Sequence, residues 1–487
     1  AYSMTLQTFP SHTKARAVLI GVCALGLSAT GVVFAAGANA TPDSFSPTGS
    51  MSTPRLDATA VLAANGKVLV AGGQTLSATL NSTSVYDPSA GTFSAGPTMT
   101  TARSGGIGAA LSNGLVLVAG GFAGPSAGSY AYSTQLYNPT TNSFVSSNDV
   151  SVGMVDPTSV LLADGRVLAT SGTNGGISTL SSSQTFNLAS GVNGAWTTQG
   201  PMTIARVNHT ATRLTSGYVL VAGGQASSTT YSSAELYNPT SNTFSSTTGP
   251  MAAARTGATA SLLPNGKVLI AGGQGPSGYL NGTEVYDPSS GTFSSGPSMA
   301  AGRAFATATT LSNGKVLIAG GMDTSTYLAT SEIYDPATNL FSAGPALSVP
   351  RSSATDTLLN NGKVLLVGGY GAGSAILRSA DLFTPAAADP PVAQTPVGCS
   401  AMPKKLKQTG NSVVLKTRCS TNAGQAVRVS VKRVGKKKGT YKVLRSGAGK
   451  VTIRTKNARG LKLKVTRSAP ATTGYNAYVK AKTYTIK

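Results

Sequence analysis

The first repeat of the chain is centred on the segment Asn65-Gly66-Lys67-Val68-Leu69-Val70-Ala71-Gly72-Gly73. An Asn-Gly pair before an apolar run is a strong hairpin signal, because both turn residues must accept positive φ angles. The apolar strand that includes Val68-Leu69-Val70-Ala71 follows, and the glycine doublet ends it. The segment therefore predicts an antiparallel hairpin.

The same segment recurs along the chain at nearly constant spacing. Successive copies are 48 to 52 residues apart, and the third of the seven is degraded to Ser171-Gly172-Thr173. Regular self-similarity at this period indicates a solenoid or a propeller. The six intact doublets are Gly72-Gly73, Gly120-Gly121, Gly223-Gly224, Gly272-Gly273, Gly320-Gly321 and Gly368-Gly369.

Two further strands follow each hairpin. A Tyr or Phe marks the third strand, as in Tyr86-Asp87-Pro88, and a second aromatic residue begins the fourth, as at Phe93. Four strands with two aromatic residues are typical of a propeller blade. Between residues 45 and 385 the pattern resembles the Kelch repeat, although Phe replaces Trp in all blades but one. The resemblance implies an all-β, seven-bladed Kelch β-propeller like the central domain of galactose oxidase, here of an exported bacterial type.

The strand count predicts how the ring closes. Seven hairpins and seven third strands are followed by only six fourth strands. The segment Phe45-Ser46-Pro47-Thr48-Gly49-Ser50-Met51 matches the fourth strand of the first repeat, which begins at Phe93. We therefore expect this N-terminal segment to complete the last blade beside Asp381-Leu382-Phe383, which removes an open sheet edge.

The first 40 residues are typical of a secretory signal peptide. Lys14 and Arg16 precede an apolar run that ends in the small-x-small site Ala38-Asn39-Ala40. Cleavage there predicts a secreted or cell-surface protein with no later membrane span, and a retained membrane anchor is the alternative. The predicted organisation is a signal peptide at 1–40, the propeller at 41–385, a Pro/Ala linker at 386–397 and a basic β-sandwich domain at 398–487.

The net charge of +23 comes from the C-terminal segment. Residues 1–396 carry 15 basic and 15 acidic side chains, whereas residues 397–487 carry 23 basic and no acidic ones. Such a one-signed domain favours a polyanionic partner. Export favours an anionic cell-surface or matrix polymer, lipid head groups or extracellular DNA over chromosomal DNA, and a solubilising surface is the alternative. The candidate contacts are Lys436, Lys437, Lys438, Lys462 and Lys464.

Two cysteines remain once the signal peptide is removed. Cys399 and Cys419 both lie in the basic segment, and two cysteines in a small exported domain predict one disulfide. A metal site is the alternative, although no histidine accompanies them.

An arginine stands 17 residues before each intact doublet, and Val155 takes that place in the degraded repeat. Six arginines around one mouth would clamp an anionic ligand such as a uronate or a carboxylate. The alternative is a repeated packing role, in which Glu235, Glu284, Glu332 and Asp381 on third strands are the partners. The six are Arg55, Arg103, Arg206, Arg255, Arg303 and Arg351.

The loops between second and third strands are the other candidate binding elements. They are rich in Ser, Gly and Tyr, a composition that gives contact area at low entropic cost. Ordinary solvated loops are the alternative interpretation. The tyrosines are Tyr130, Tyr231, Tyr279, Tyr327 and Tyr370.

No catalytic motif is apparent. The resemblance to galactose oxidase implies a copper site of two His, two Tyr and a Cys, but after signal removal the chain keeps one histidine, His209, and no propeller cysteine. We therefore expect no copper, no other metal and no cofactor, and a structural role for His209. The predicted function is a non-catalytic scaffold for a protein or glycan partner. The alternative is a carbohydrate-active enzyme, of isomerase or hydrolase type, at the arginine-lined mouth.

Overall fold

The computed structural model describes residues 42–124, 129–174, 178–188, 194–324 and 326–386, together with the backbone of nine strands in the C-terminal segment. Within this part of the chain almost all regular structure is β-strand, and the single helical element is a 3-10 turn at Ala372–Ser374. No helix among the described residues has the length and apolarity needed to cross a membrane.

Seven antiparallel four-stranded sheets follow one another along the chain, and we number them as blades 1 to 7. The strands of blades 1 to 3 are Thr59–Leu62, Val68–Ala71, Thr83–Asp87 and Thr92–Ala95; Ile107–Ala110, Val116–Ala119, Thr134–Asn138 and Ser143–Ser147; and Thr158–Leu161, Val167–Thr170, Ser183–Asn187 and Ala195–Gln199.

Blades 4 to 7 repeat the same order. Their strands are Thr210–Arg213, Val219–Ala222, Ala234–Asn238 and Thr243–Ser246; Thr259–Leu262, Val268–Ala271, Thr283–Asp287 and Thr292–Ser295; Thr307–Thr310, Val316–Ala319, Ser331–Asp335 and Leu340–Ala343; and Thr355–Leu358, Val364–Val367, Ala380–Thr384 and Ser44–Pro47.

Blades 4 to 6 add a short hairpin between the second and third strands. These hairpins pair Gln225–Ala226 with Thr229–Thr230, Gln274–Gly275 with Gly278–Tyr279, and Met322–Asp323 with Thr326–Tyr327.

The predicted hairpin turns are present. Gly66 has a φ of +79°, and the backbone N–H of Lys67 donates to Oδ1 of Asn65 over 3.1 Å. The second strand that follows, Val68–Ala71, is buried along its whole length. The predicted hairpin is confirmed, and the structure shows that its apolar second strand lies in the centre of the blade.

The ring closes through the N-terminal strand. Ser44–Pro47 pairs antiparallel with the third strand of blade 7, with Phe45 opposite Phe383 and their ring centroids 5.2 Å apart. The backbone N–H of Thr48 extends the pairing by donating to the carbonyl of Ala380 over 3.0 Å. First strands of neighbouring blades contact each other all the way round, including those of blades 1 and 7. The predicted seven-bladed closure is confirmed.

Apolar side chains fill the spaces between adjacent blades. One such cluster joins Val68 and Tyr86 of blade 1 to Leu365 and Val367 of blade 7. Within blades, the tyrosine of the third strand packs on the aromatic residue of the fourth, as Tyr86 does on Phe93 at 4.9 Å. Adjacent sheets therefore pack face to face, and the loops lie at the ends of the strands.

The C-terminal segment is described as strand backbone alone. Four strands form one sheet, three form a second, and Pro396–Val397 pairs with Ser420–Thr421. The four-stranded sheet contains Gln408–Thr409, Ser412–Lys416, Lys450–Lys456 and Thr440–Ser446. The three-stranded sheet contains Arg428–Val434, Lys462–Ala469 and Tyr478–Thr485. Their packing as a sandwich stays a prediction. The predicted disulfide, the signal peptide and Lys436 to Lys438 lie outside the described residues.

Candidate functional site

The repeated arginines lie inside the blades. Arg255 is 2% exposed, and its Nη1 donates to the carbonyls of Gly272 at 2.6 Å and Gly282 at 3.1 Å. Its Nη2 donates to Oε1 of Glu284 at 2.9 Å. The same carboxylate accepts the backbone N–H groups of Ala252 at 2.7 Å and Ala253 at 3.1 Å. One guanidinium therefore ties together the glycine doublet, the third strand and the loop that enters the blade.

Only blades 4 to 7 contain this ion pair; the partners are Glu235, Glu284, Glu332 and Asp381. Arg55 of blade 1 instead donates to Ser82 and Ser84, and Arg103 of blade 2 donates to Ser133. Burial without a carboxylate partner lowers the pKa of both arginines to about 10.

Blade 3 lacks the arginine, and its replacement is one residue earlier than the sequence suggested. The carbonyl of Arg103 accepts the N–H of Gly73, and the corresponding N–H of Gly121 goes to the carbonyl of Met154. Val155 instead pairs with Thr173, as Leu56 pairs with Gln74 in blade 1. The assignment of Val155 was wrong, because the degraded doublet is Ser171-Gly172 rather than Gly172-Thr173.

These contacts correct the expectation of an anion clamp. A clamp needs donors that face solvent, whereas all six arginines are at most 2% exposed and each Nη1 donates to backbone carbonyls. The geometry supports the alternative role, in which each arginine performs the same packing task in its blade.

The residues that do line the mouth stand two positions after each arginine, or after Met154 in blade 3. This inner ring has left-handed backbone at every position, with φ between 51° and 62°. Backbone hydrogen bonds link it from blade to blade: the N–H of Gly105 donates to the carbonyl of Asp57 at 2.8 Å, and the N–H of Asp156 donates to that of Gly105 at 2.9 Å. The inner ring consists of Asp57, Gly105, Asp156, Asn208, Gly257, Phe305 and Ser353.

The inner ring surrounds a cavity of about 400 Å³, which lies where the loops enter the first strands of the blades. All seven ring residues line it, each followed by the residue that leads into its first strand. The cavity is therefore a product of ring closure, since every blade contributes one loop to it.

Two carboxylates occupy one side of the mouth. The carboxyl of Asp156 fills the space that a side chain at Gly105 would need, which brings it toward Asp57 of blade 1. Oδ2 of Asp57 accepts a hydrogen bond from Nε2 of Gln74 at 3.3 Å. Desolvation and the charge of Asp57 raise the pKa of Asp156 to about 7, and desolvation also raises that of Asp57.

The opposite side of the mouth is apolar. The ring of Phe305 covers Gly257, where a Cβ would lie 2.8 Å from its Cε1 and Cζ atoms. Gly257 also has a φ of +62°, which favours glycine. Asn208 and Ser353 complete the ring with uncharged polar groups.

None of the five predicted tyrosines lines the mouth cavity. Tyr370 and Tyr327 stack at 6.1 Å and 23°, and desolvation, with a smaller effect of the charge of Asp57, raises the pKa of Tyr370. Tyr231 lies over the guanidinium of Arg206 at 5.6 Å, and Tyr130 packs edge-on against Tyr132 at 5.9 Å. Tyr279 pairs with Gln274 in the short hairpin of blade 5. Most of these tyrosines thus organise their own loops.

His209 follows the inner-ring residue of blade 4. It is 5% exposed, and its Nε2 shares hydrogen bonds with Oγ1 of Thr158 at 2.7 Å and of Thr170 at 3.1 Å. Burial and the nearby positive charge of Arg206 lower its pKa to about 3. The neutral imidazole joins blade 4 to blade 3, as expected of a structural histidine.

The two shifted groups predict opposite pH dependences of stability. The folded pKa of His209 lies below its unfolded value of about 6.5, so the stability it contributes is lost as the pH falls from there toward 3. The folded pKa of Asp156 lies above its unfolded value, so stability falls as the pH rises from about 4 to 7. Urea titrations at several pH values measure the free energy of unfolding. The variant His209→Gln should lack the part of the destabilisation below about pH 6.5 that His209 causes, which is at most about 1.4 kcal/mol per pH unit. The variant Asp156→Asn should lack the fall in stability between about pH 4 and 7 that Asp156 causes.

We expect the larger effect at His209, because this residue is buried, whereas Asp156 as a whole residue is exposed. If His209→Gln had the same dependence of the free energy of unfolding on pH between about pH 6 and 4 as the unmodified protein, the neutral buried state assigned to this histidine would be wrong.

The residues at the mouth do not fit a copper ion of the galactose oxidase type. That site needs two His, two Tyr and a Cys, and the mouth offers Asp57, Asp156 and a histidine whose Nε2 is shared by two threonines. Across the described ranges no three His, Cys, Asp or Glu side chains are grouped closely enough to hold a metal.

The sequence contained a signal for the inner ring that the repeat pattern obscured. Most positions of the repeat keep one residue type, whereas the position two after the arginine holds Asp, Gly, Asn, Phe or Ser. A position that varies between otherwise similar blades is a candidate for recognition, since packing does not fix it.

Comparison with known proteins agrees with this architecture. The family model described as "Kelch motif" matches residues 57–100, 255–300 and 303–348. A fungal alcohol oxidase of the AA5 family, solved in complex with copper, superposes with a TM-score of 0.58 over 92% of this chain and 100% of its own, at 16% identity. At that identity the likeness concerns the fold alone. No curated protein matched the sequence. Three of the seven repeats match the Kelch motif, and the chain forms a seven-bladed Kelch β-propeller.

Proposed function

We propose that the protein is an exported, non-catalytic binding scaffold that takes its ligand at the propeller mouth and is held on anionic polymers by its basic C-terminal segment. The inner ring is the observation that supports a ligand site at the propeller mouth. Seven blades converge there on one concave cavity, and the residue types differ from blade to blade. A concave site with a few convergent polar groups is the usual form of a ligand pocket.

The proposed attachment to anionic polymers rests on the distribution of charge along the chain. The propeller's basic residues are largely committed to internal contacts, such as the arginine pairs and the hairpin pair of Lys67 with Asp87 at 2.9 Å. The C-terminal segment has no acidic residue to pair with its 23 cations. Its charge is therefore available to an external polyanion.

Removing selected tail charges should weaken polyanion binding. In the full chain, Lys436, Lys437, Lys438, Lys462 and Lys464 are changed to Gln, which lowers the net charge from +23 to +18. The salt concentration that elutes this variant from a heparin or dextran sulfate resin should fall markedly, because screened charge contacts dominate such binding.

A matched control has the same net charge but loses it from the propeller. It carries Lys67, Lys267, Lys315 and Lys363 changed to Gln, with Arg378 changed to Gln as well. We expect this control to elute close to the unmodified protein. Equal shifts in both variants would show that net charge alone governs retention, and the tether would be rejected.

An enzymatic role at the mouth is the second candidate, and one observation favours it. Asp57 and Asp156 form a carboxylate pair with raised pKa values, an arrangement that can support acid–base chemistry. The two roles differ in turnover. A glycan that binds and is recovered unchanged supports the scaffold, whereas conversion that is lost in Asp156→Asn supports the enzyme.

A further inference from the structure

The mouth cavity has charge of one sign. Its titratable lining residues are Asp57, Asp156 and His209, and no lysine or arginine lines it. Since His209 is neutral above its low pKa, any charge within the cavity is negative. The nearest guanidinium groups belong to the buried arginines, whose donors are directed into the blades.

The two carboxylates converge because of the glycine between them. With no side chain at Gly105, the carboxyl of Asp156 lies back over blade 2 toward blade 1. Five of the seven N–H groups of the inner ring donate within the ring itself, as Gly105 does to Asp57 and Asp156 does to Gly105. Both carboxylates therefore lie at the cavity, close enough for the charge of Asp57 to affect Asp156, and no basic residue is among the lining residues.

The other side of the cavity adds an aromatic surface. Phe305 of blade 6 projects over Gly257 of blade 5, across the ring from Asp57 of blade 1 and Asp156 of blade 3. The carboxylates on one side suit a cationic group, and the aromatic ring on the other side offers a surface for the compact body that carries it.

We infer that the mouth binds a small ligand bearing an ammonium group, held by Asp57 and Asp156, with the body of the ligand packed on Phe305. The inference deepens the proposed function, because it names the class of ligand for the same site. The volume of about 400 Å³ admits a compact molecule such as an amino sugar rather than a folded protein segment.

The test uses pairs of charged and neutral probes. Choline is compared with its neutral isostere 3,3-dimethylbutan-1-ol, which differs only in charge, and glucosamine is compared with glucose, in which a hydroxyl replaces the ammonium group, by calorimetry on the full chain. The charged member of each pair should bind at least about tenfold more tightly. Equal affinity within both pairs would overturn the inference.

Variants locate the binding. The double change Asp57→Asn and Asp156→Asn should reduce choline affinity about tenfold or more while keeping the shape of the cavity. Asp287→Asn, a carboxylate paired with Lys267 at the other end of blade 5, is the matched control and should bind as the unmodified protein does. Thermal melting of each variant separates lost binding from lost folding.

The same variants separate this inference from the function it rests on. A neutral glycan whose binding is lost in Phe305→Ala but retained in the double Asn variant would overturn the ammonium ligand and keep the mouth as a binding site. Ligand binding that neither Phe305→Ala nor the double variant changes would overturn both.

Discussion

Replacing Arg255 with methionine is expected to destabilise the propeller by about 3–5 kcal/mol. The change leaves Glu284 buried, with only the backbone donors of Ala252 and Ala253 to balance its charge. It also leaves the carbonyls of Gly272 and Gly282 without their shared donor. The midpoint of urea unfolding, followed by tyrosine fluorescence or circular dichroism, measures the loss.

Blade 3 supplies the compensating change. Met154 stands there in the place of the arginine, and Gln184 in the place of the glutamate, with Nε2 of the glutamine 3.7 Å from Sδ of the methionine. The double variant Arg255→Met with Glu284→Gln copies this pair into blade 5. Because it removes the unpaired buried charge, it should recover roughly half of the loss or more.

The comparison between the two variants is decisive. A double variant as unstable as Arg255→Met alone would show that lost backbone hydrogen bonds, and not the stranded carboxylate, account for the cost. Recovery would show that blades 4 to 7 use the ion pair and that blade 3 achieves the same packing without charge.

Deleting the closing strand is expected to have the larger effect on folding. Removal of residues 42–49 takes away the fourth strand of blade 7, the contact of Phe45 with Phe383 and the hydrogen bond of Thr48 to Ala380. The lost packing and backbone bonds amount to at least about 5 kcal/mol. The third strand of blade 7 would become an open edge, which promotes association between chains.

Urea unfolding and light scattering check this expectation. The truncated protein should unfold at lower urea and scatter more, and a synthetic peptide of residues 42–51 added in excess should reverse both effects by strand addition. Ser44→Ala with Ser46→Ala, two exposed positions on the same strand, is the control and should stay within about 0.5 kcal/mol. An unchanged urea midpoint after deletion would refute closure through this strand.

The sequence alone determined the architecture of the propeller. Asn-Gly turns, apolar second strands and glycine doublets are local signals, and their repetition counts the blades without reference to distant contacts. The closing strand was predictable for the same reason, since Phe45 and its neighbours match a fourth strand that the last repeat lacks. The sequence also divides the chain by charge at residue 397.

The tertiary structure decided what each recurring residue does. An arginine in six of the seven repeats is compatible with a solvent-facing clamp or with an internal packing role, because spacing does not reveal the direction of a side chain. The folded blades place Arg206, Arg255, Arg303 and Arg351 beside buried carboxylates, which removes the clamp.

The mouth itself exists only in the closed ring. Asp57 and Asp156 are 99 residues apart in the sequence, and they approach each other because Gly105 of the blade between them has no side chain. The repeat pattern within single blades does not reveal that residues of blades 1 and 3 come near each other. The sequence therefore determined the scaffold, whose signals lie within single repeats, while the site depended on ring closure, which brings one variable residue from each repeat to a common cavity.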